Sequence, residues 1–150
     1  MTEGRGQAIT LDYTIGIALS VLLVTGLLVA GGGFVADQRE RAARTELRVV
    51  GQQVAADFEA ADRLANSTEA DPTVRVSRQL PRDVAGAAYR VELVDRADPY
   101  LELRSSDPAV TVRVEVTNLT AVTGTEVAGG PLAVNLTDAG TLTLDGGAFR

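Results

Sequence analysis

An uncharged, strongly apolar run near the N-terminus constrains this chain more than any other feature. No side chain is charged in the 24 residues from Tyr13 to Ala36. A helix of that length is about 36 Å long, and a bilayer's hydrocarbon core is about 30 Å thick. Residues 15–30 present no polar stripe, which a core helix of a soluble protein would show. The run predicts one transmembrane helix, with the lipid bilayer as a partner.

Residues 37–66 predict a second helical segment with a single apolar stripe. Apolar residues recur there at spacings of three and four: Leu47, Val50, Val54, Phe58, Ala61 and Ala65. Glu40 and Arg44 form a favourable (i, i+4) pair, and the helix should end near Asn66. Joined to 7–36, this segment predicts one long helix, bent at Gly31–Gly33. The stripe packs against a head domain or, as an alternative, forms a short coiled-coil seam.

From residue 72 to 150 the pattern changes to alternating apolar and polar residues rich in Val and Thr. Such alternation predicts half-buried antiparallel strands at 74–77, 89–94, 100–104, 110–116, 132–136 and 141–144. Turn residues such as Asp98-Pro99 and Gly129-Gly130-Pro131 separate them. The predicted fold class is α+β: a long N-terminal helix, half transmembrane and half amphipathic, packed on a small antiparallel sheet or sandwich.

The composition argues against an enzyme. The chain has no His and no Cys, so it lacks the usual general base and the triads built on either residue. No Walker loop is present, and the acids Asp95/Asp98 and Asp57/Glu59/Asp62 match no complete calcium loop, which indicates solvated acids. We therefore predict no catalytic, cofactor-binding or metal-binding residues and no small-molecule substrate.

The charge balance argues against a nucleic-acid partner and points to a salty environment. The net charge is −6, and all 14 basic residues are Arg. Nucleic-acid binding needs a basic footprint, which is missing here. An acidic, lysine-free chain resembles haloarchaeal proteins, whose carboxylates keep the surface hydrated in salt. Codon bias in a GC-rich genome is the alternative explanation.

The segment before the apolar run carries a processing motif. Arg5-Gly6 is followed by Gln7-Ala8, shortly before the first apolar residues. This arrangement resembles the class III leader of archaeal type IV pilins. The resemblance implies that a prepilin peptidase removes leader 1–6 between Gly6 and Gln7, and that helix 7–36 is retained. As an alternative, an ordinary signal peptide would be cut near Ala30 and Gly32.

The pilin resemblance also implies residues for assembly with other pilin-like subunits. Pilins often carry a glutamate five residues into the mature chain, where this sequence has Leu11 and then Asp12. We expect Asp12 to serve in assembly, although it is turned about 100° around the helix from the family's position. The expected packing residues are Ile15, Leu19, Leu22, Gly26 and Val29.

The three asparagines of the chain bear on the side of the membrane that the head occupies. Asn66, Asn118 and Asn135 each begin an Asn-x-Ser/Thr sequon, which predicts glycosylation on an external surface. The arginines after the apolar run, at 39, 41, 44 and 48, favour a cytoplasmic head by the positive-inside tendency. We give the leader and sequons more weight and expect an extracellular head.

Together these features predict a non-enzymatic, single-pass membrane protein. The first hypothesis is a pilin-like subunit, a minor component of a type IV pilus-like filament on the archaeal cell surface. The alternative is a permanently anchored accessory protein that keeps its leader and whose head binds an envelope or membrane partner. A third hypothesis, a secreted β domain, would lose the helix.

Overall fold

The computed structural model describes residues 3–67 and 73–147. Within them, one helix, α1, runs from Glu3 to Ser67. Eight strands follow: β1 Arg75–Arg78, β2 Asp83–Val84, β3 Ala87–Val94, β4 Tyr100–Ser106, β5 Ala109–Glu115, β6 Thr125–Ala128, β7 Leu132–Leu136 and β8 Leu142–Gly146. The α+β class is confirmed, and the two predicted helical segments belong to one helix.

The contacts divide the chain into two units, with the boundary between Gln38 and Arg39. The described part of the first unit is helical throughout. The second unit contains the rest of α1 and the described strands. The apolar run and the head can therefore be considered in turn.

The described strands form two antiparallel sheets. One has the order β1-β7-β8, and the other has the order β2-β3-β4-β5. Strand β6 pairs with β3 at Arg90 to Leu93, beyond the two residues that pair with β2. A parallel bridge between Val122 and Leu142 connects the segment before β6 to β8. The amide of Leu144 in β8 also donates to Thr125 Oγ1 in β6 at 3.2 Å, so contacts link the two sheets.

The apolar stripe of α1 forms one side of the head's core. Leu47, Val54 and Phe58 are fully buried. They belong to a single cluster of buried apolar residues that includes Leu103 from one sheet and Leu132 from the other. Burying one such side chain contributes about 1.5–3 kcal/mol. The stripe is thus buried within its own chain, which disfavours the coiled-coil alternative.

Gly51 allows the helix backbone to lie close to the five-stranded sheet. A Cβ atom placed on Gly51 would lie 2.7 Å from Val114 Cγ2 and 2.9 Å from Leu103 Cδ1. Both distances are shorter than van der Waals contact between carbon atoms. Glycine is a poor helix former, so the close approach explains its presence inside α1.

All six predicted strands are present within a residue or two of their expected bounds, but β2 and β6 were missed. Strand β2 has two residues, and β6 contains one large apolar residue, Val127. Neither is long enough to show a period of two. A two-residue turn joins β2 to β3, in which Ala85 and Gly86 have φ of 49° and 82°. Positive φ at both positions suits a two-residue hairpin between twisted strands.

We expect Phe58→Ala to destabilise the head strongly, because the truncation leaves a cavity between α1 and the sheets. The free energy of unfolding should fall by about 3–5 kcal/mol. The matched control is Leu64→Ala on the same helix, where the side chain is half exposed and the loss should be about 0.5 kcal/mol. Hydrogen exchange of the β3 and β4 amides, measured on the full chain in detergent, reports both values. Equal losses in the two variants would contradict the proposed core.

Candidate functional site

The apolar run is exposed along its whole length in the structure. The helix from Tyr13 to Ser67 contains an 18-residue window with a mean hydropathy of 2.3, none of which is buried. An exposed apolar surface of this size is unfavourable in water and favourable in hydrocarbon. By length and composition the helix is compatible with a single-pass membrane anchor, and a signal sequence near the N-terminus would show the same features.

Two polar side chains in this run, Ser20 and Thr25, are satisfied inside the helix. The hydroxyl of Ser20 donates to the carbonyl oxygen of Gly16 at 2.8 Å, and that of Thr25 donates to Val21 at 2.8 Å. Such bonds to the preceding turn remove the cost of placing a free hydroxyl in lipid. The hydroxyls therefore do not oppose insertion of the run.

The predicted packing residues lie on one side of the helix. Their spacings of four, three, four and three keep them within about 80° of one another around the axis. The large ones are at least half exposed: Ile15, Leu19, Leu22 and Val29. A Cβ atom on Gly26 would meet nothing within 4 Å, so this side is open to a second helix. The structure brings these residues together as an apolar face, which we call the packing face.

The predicted processing and assembly residues at the N-terminus are described in backbone only. Arg5, Gly6, Gln7 and Asp12 lie within α1. Their side chains lie outside the described part of the structure, so the processing motif and the role of Asp12 remain predictions. The next charged pair along the helix is described fully: Arg44 donates to Glu40 at 2.6 Å, as the spacing predicted.

Asp62 fixes the loop between β5 and β6 to the end of α1. Its buried carboxylate accepts hydrogen bonds from the amides of Leu119 at 3.0 Å and Thr120 at 2.8 Å. The side chain of Asn66, one turn later, donates to Asp62 Oδ1 at 3.2 Å and to Thr120 Oγ1 at 3.1 Å. Burial by itself raises the pKa of Asp62, but these hydrogen bonds outweigh it and the pKa is lowered.

Asp57 attaches strand β1 to the same helix. Its carboxylate is buried and accepts two hydrogen bonds from Arg78, each at 2.6 Å. A paired guanidinium and carboxylate of this geometry give strength and orientation together. Strand β1 is short, with four residues, and among the described strands it pairs only with β7. The ion pair therefore gives β1 a second contact, with α1, in addition to its pairing with β7.

A third carboxylate organises the face of the five-stranded sheet opposite the core. Glu102 in β4 contacts Arg104 and accepts from Arg113 Nε at 2.7 Å. Arg113 also lies over the ring of Tyr100, 5.2 Å from its centroid, and Arg104 reaches Glu92 at 3.0 Å. Hydrogen bonding from Arg113 lowers the pKa of Glu102 despite burial. The outer face is thereby covered by alternating charges.

The interpretation of the helix acids as solvated was wrong for two of them. Asp57 and Asp62 are buried and serve as acceptors, because the sheets and loops fold over the side of α1 that carries them. Among the described residues no group of three or more acidic side chains is placed to hold a metal ion. The two carboxylates are structural in the head.

A signal for Asp62 was present in the sequence and was missed. It lies about 40° from Phe58 around the helix, at the edge of the apolar stripe rather than opposite it. A carboxylate in that position must find donors when the stripe is buried. No comparable signal identifies Glu102, since alternation places it on the outer face and its burial comes from the two arginines.

The three sequons occupy different settings. Asn66 lies in the last turn of α1, Asn118 lies in the β5–β6 loop, and Asn135 lies in β7 between β1 and β8. Beside Asn118, the side chain of Leu119 is 86% exposed. Asn66 itself is exposed, whereas Asn118 and Asn135 are both partly buried. The sequons thus differ in their structural surroundings, although the sequence motif is the same.

We expect Asp62→Asn to reduce stability at neutral pH by about 2 kcal/mol, since hydrogen bonds to a charged acceptor become bonds to a neutral one. The folded-state pKa of Asp62 lies below its ordinary value of 3.8. Its contribution is therefore present above that value and is lost as the pH falls through the folded-state value. Unfolding measured between neutral and acidic pH should show wild type and variant converging in acid.

The control for this measurement is Asp138→Asn in the exposed turn after β7. It should follow the wild-type pH profile, because the structure gives Asp138 no comparable set of donors among the described residues. A gap between wild type and Asp62→Asn that stays constant into acid would contradict the assigned role.

Comparison with known proteins identifies a family whose function is unknown. No curated protein and no solved structure matches the chain at a significant level. A family described as "Family of unknown function (DUF7266)" matches residues 2–145. Because that match spans nearly the whole sequence, the chain belongs to the DUF7266 family.

Proposed function

We propose that this protein is a non-enzymatic, membrane-anchored, pilin-like subunit of a type IV pilus-like filament on an archaeal cell surface. The observation that carries the proposal is the exposed apolar run of α1, whose helix continues into a stripe buried in a β-rich head. The same helix therefore has a segment suited to lipid, the apolar run, and a segment that packs in a protein core, the apolar stripe.

In the proposed mechanism, prepilin peptidase cleaves between Gly6 and Gln7 and leaves the apolar run in the mature chain. The run anchors the subunit in the bilayer until assembly. On assembly, the packing face meets the helices of other subunits and van der Waals contact replaces contact with lipid. The exposure of Ile15, Leu19, Leu22 and Val29 supports this, since no described part of the chain covers them.

The head is proposed to lie outside the cell and to carry N-linked glycan. The sequons support this orientation. The arginines after the apolar run favour a cytoplasmic head, but the pairing of Arg44 with Glu40 weakens that tendency. A halophilic source fits the polar contacts of the head as well. Screening by salt acts mainly on exposed charges and less on a pair whose carboxylate is buried, such as Asp57 with Arg78.

A non-enzymatic role agrees with the chemistry of the side chains. The chain has no His and no Cys. Its buried carboxylates at 57, 62 and 102 are each occupied by hydrogen bonds from arginine or backbone groups. A carboxylate held in this way is not placed to exchange a proton with a substrate.

The proposal predicts that Gly6→Val blocks processing. Wild-type protein from native membranes should begin at Gln7, and the variant should keep its leader, because the resemblance to class III leaders implies cleavage after a glycine. Gly4→Val, two residues earlier, is the matched control and should be processed normally. Intact mass and N-terminal sequencing distinguish the forms. A wild-type start at Met1 or Thr2 would overturn the processing step and favour the permanently anchored accessory protein.

A second prediction concerns Asp12. A carboxylate beside the apolar run is costly unless it finds a cationic partner, which the amine of a neighbouring subunit would supply. Asp12→Ala should lower the amount of subunit in sheared surface filaments by about tenfold, the factor that corresponds to 1.4 kcal/mol. Its amount in the membrane should stay unchanged, and Asp37→Ala serves as the control. Equal filament yields from the two variants would contradict the role of Asp12.

A further inference from the structure

The three sequons are not equally able to accept a glycan, and the difference lies in their side-chain amide nitrogens. A primary amide has two N–H groups, and attachment of a sugar replaces one of them. The first condition is therefore an N–H group that is not engaged in hydrogen bonds that hold the fold. The second condition is that the acceptor is reachable by a membrane enzyme and leaves room for a bulky group. These two conditions can be checked at each asparagine in the structure.

Asn66 fails the first condition. Its Nδ2 atom donates to the carbonyl oxygen of Asp62 at 2.7 Å, to Asp62 Oδ1 at 3.2 Å and to Thr120 Oγ1 at 3.1 Å. A sugar on this nitrogen would displace contacts that hold Asp62 and the β5–β6 loop in place. Modification there would therefore oppose the folded arrangement of the head.

Asn135 fails the second condition. It lies in β7, opposite Arg75 of β1 on one side and Thr143 of β8 on the other. Its Oδ1 atom is buried and has no hydrogen-bond partner among the described residues. Its Nδ2 atom points to Asp145 Oδ2 at 3.4 Å. A glycan at this position would have to leave from within a sheet.

Asn118 meets both conditions. It is partly buried and lies in an irregular loop, next to the 86% exposed Leu119. The described residues give its Nδ2 atom one hydrogen bond, to the carbonyl oxygen of Thr120 at 2.6 Å, which leaves the second N–H for substitution. An open cleft of about 600 Å³, bordered by Tyr100, Arg113 and Asn118, provides space beside it.

We infer that Asn118 is the N-glycan acceptor of this protein. The inference rests on the extracellular head of the proposed function. The donor is a lipid-phosphate-linked oligosaccharide. A bond forms between the anomeric carbon of the sugar and Nδ2 of Asn118 as the bond from that carbon to the phosphate oxygen breaks. The lipid phosphate leaves with the bonding electrons, and one proton is released from Nδ2.

The test uses the full chain purified from membranes of its native host, analysed by glycopeptide and intact mass spectrometry. Wild type should carry one glycan mass at Asn118, and Asn118→Gln should lose it completely. Asn66→Gln and Asn135→Gln should retain it. A second known glycoprotein in the same membranes shows that the transfer machinery is active.

A matched pair at the hydroxyl position separates loss of the sequon from loss of the asparagine. Thr120→Val removes the hydroxyl, keeps Asn118 and should abolish the modification, whereas Thr120→Ser keeps the sequon and the glycan. An unmodified Asn118, or glycan confined to Asn66 or Asn135, would overturn the inference. The N-terminus measured on the same sample tests the pilin-like function separately. A chain that starts at Gln7 and has an unmodified Asn118 would overturn only the glycan assignment.

Discussion

The head of this protein depends on burial of the apolar stripe of α1 in one core with residues from both sheets. A three-stranded sheet with a four-residue edge strand has little stability of its own. The helix supplies the missing apolar surface through residues such as Leu47, Val54 and Phe58, all fully buried. Gly51 lets the helix approach β4 and β5 closely. The strands and the helix therefore stabilise each other by burying each other's apolar side chains.

Three acids on α1 convert that apolar contact into a specific arrangement. Glu46 accepts from the amide of Ala85 in the β2–β3 turn at 2.7 Å, Asp57 pairs with Arg78 of β1, and Asp62 accepts from the β5–β6 loop. Apolar burial is non-directional, whereas each hydrogen-bonded carboxylate fixes one segment at one height along the helix. The acids thus place a turn, an edge strand and a loop that apolar packing alone would leave unfixed.

The same loop connects the stability of the head to its surface chemistry. Thr120 donates its amide to Asp62, accepts from Asn66 through its hydroxyl, and supplies the hydroxyl of the Asn118 sequon. Among the described residues, the amide nitrogen of Asn66 donates to three acceptors and that of Asn118 donates to one. Three copies of one sequence motif therefore make different hydrogen bonds in the folded head.

Much of the architecture was predictable because it follows from periodicity. The apolar run, the stripe of Leu47 to Ala65 and the six alternating strands each repeat one pattern long enough to be recognised. Strands β2 and β6 were not predictable, since two and four residues carry too little pattern. Their existence depends on β3, whose free edge they pair with. The candidate residues of the packing face were likewise found from spacing along one helix.

The sequence by itself determined that a helix of this chain presents an apolar surface on all sides over residues 13–36 and on one side afterwards, because helical geometry is local. It also determined the alternation that gives the sheets an inner and an outer face. Only the tertiary structure decided which acids are buried, which strands are neighbours and which hydrogen bonds each sequon asparagine makes. Those outcomes depend on donors and acceptors far apart in sequence, such as Asp62 and Thr120, which chain folding alone brings together.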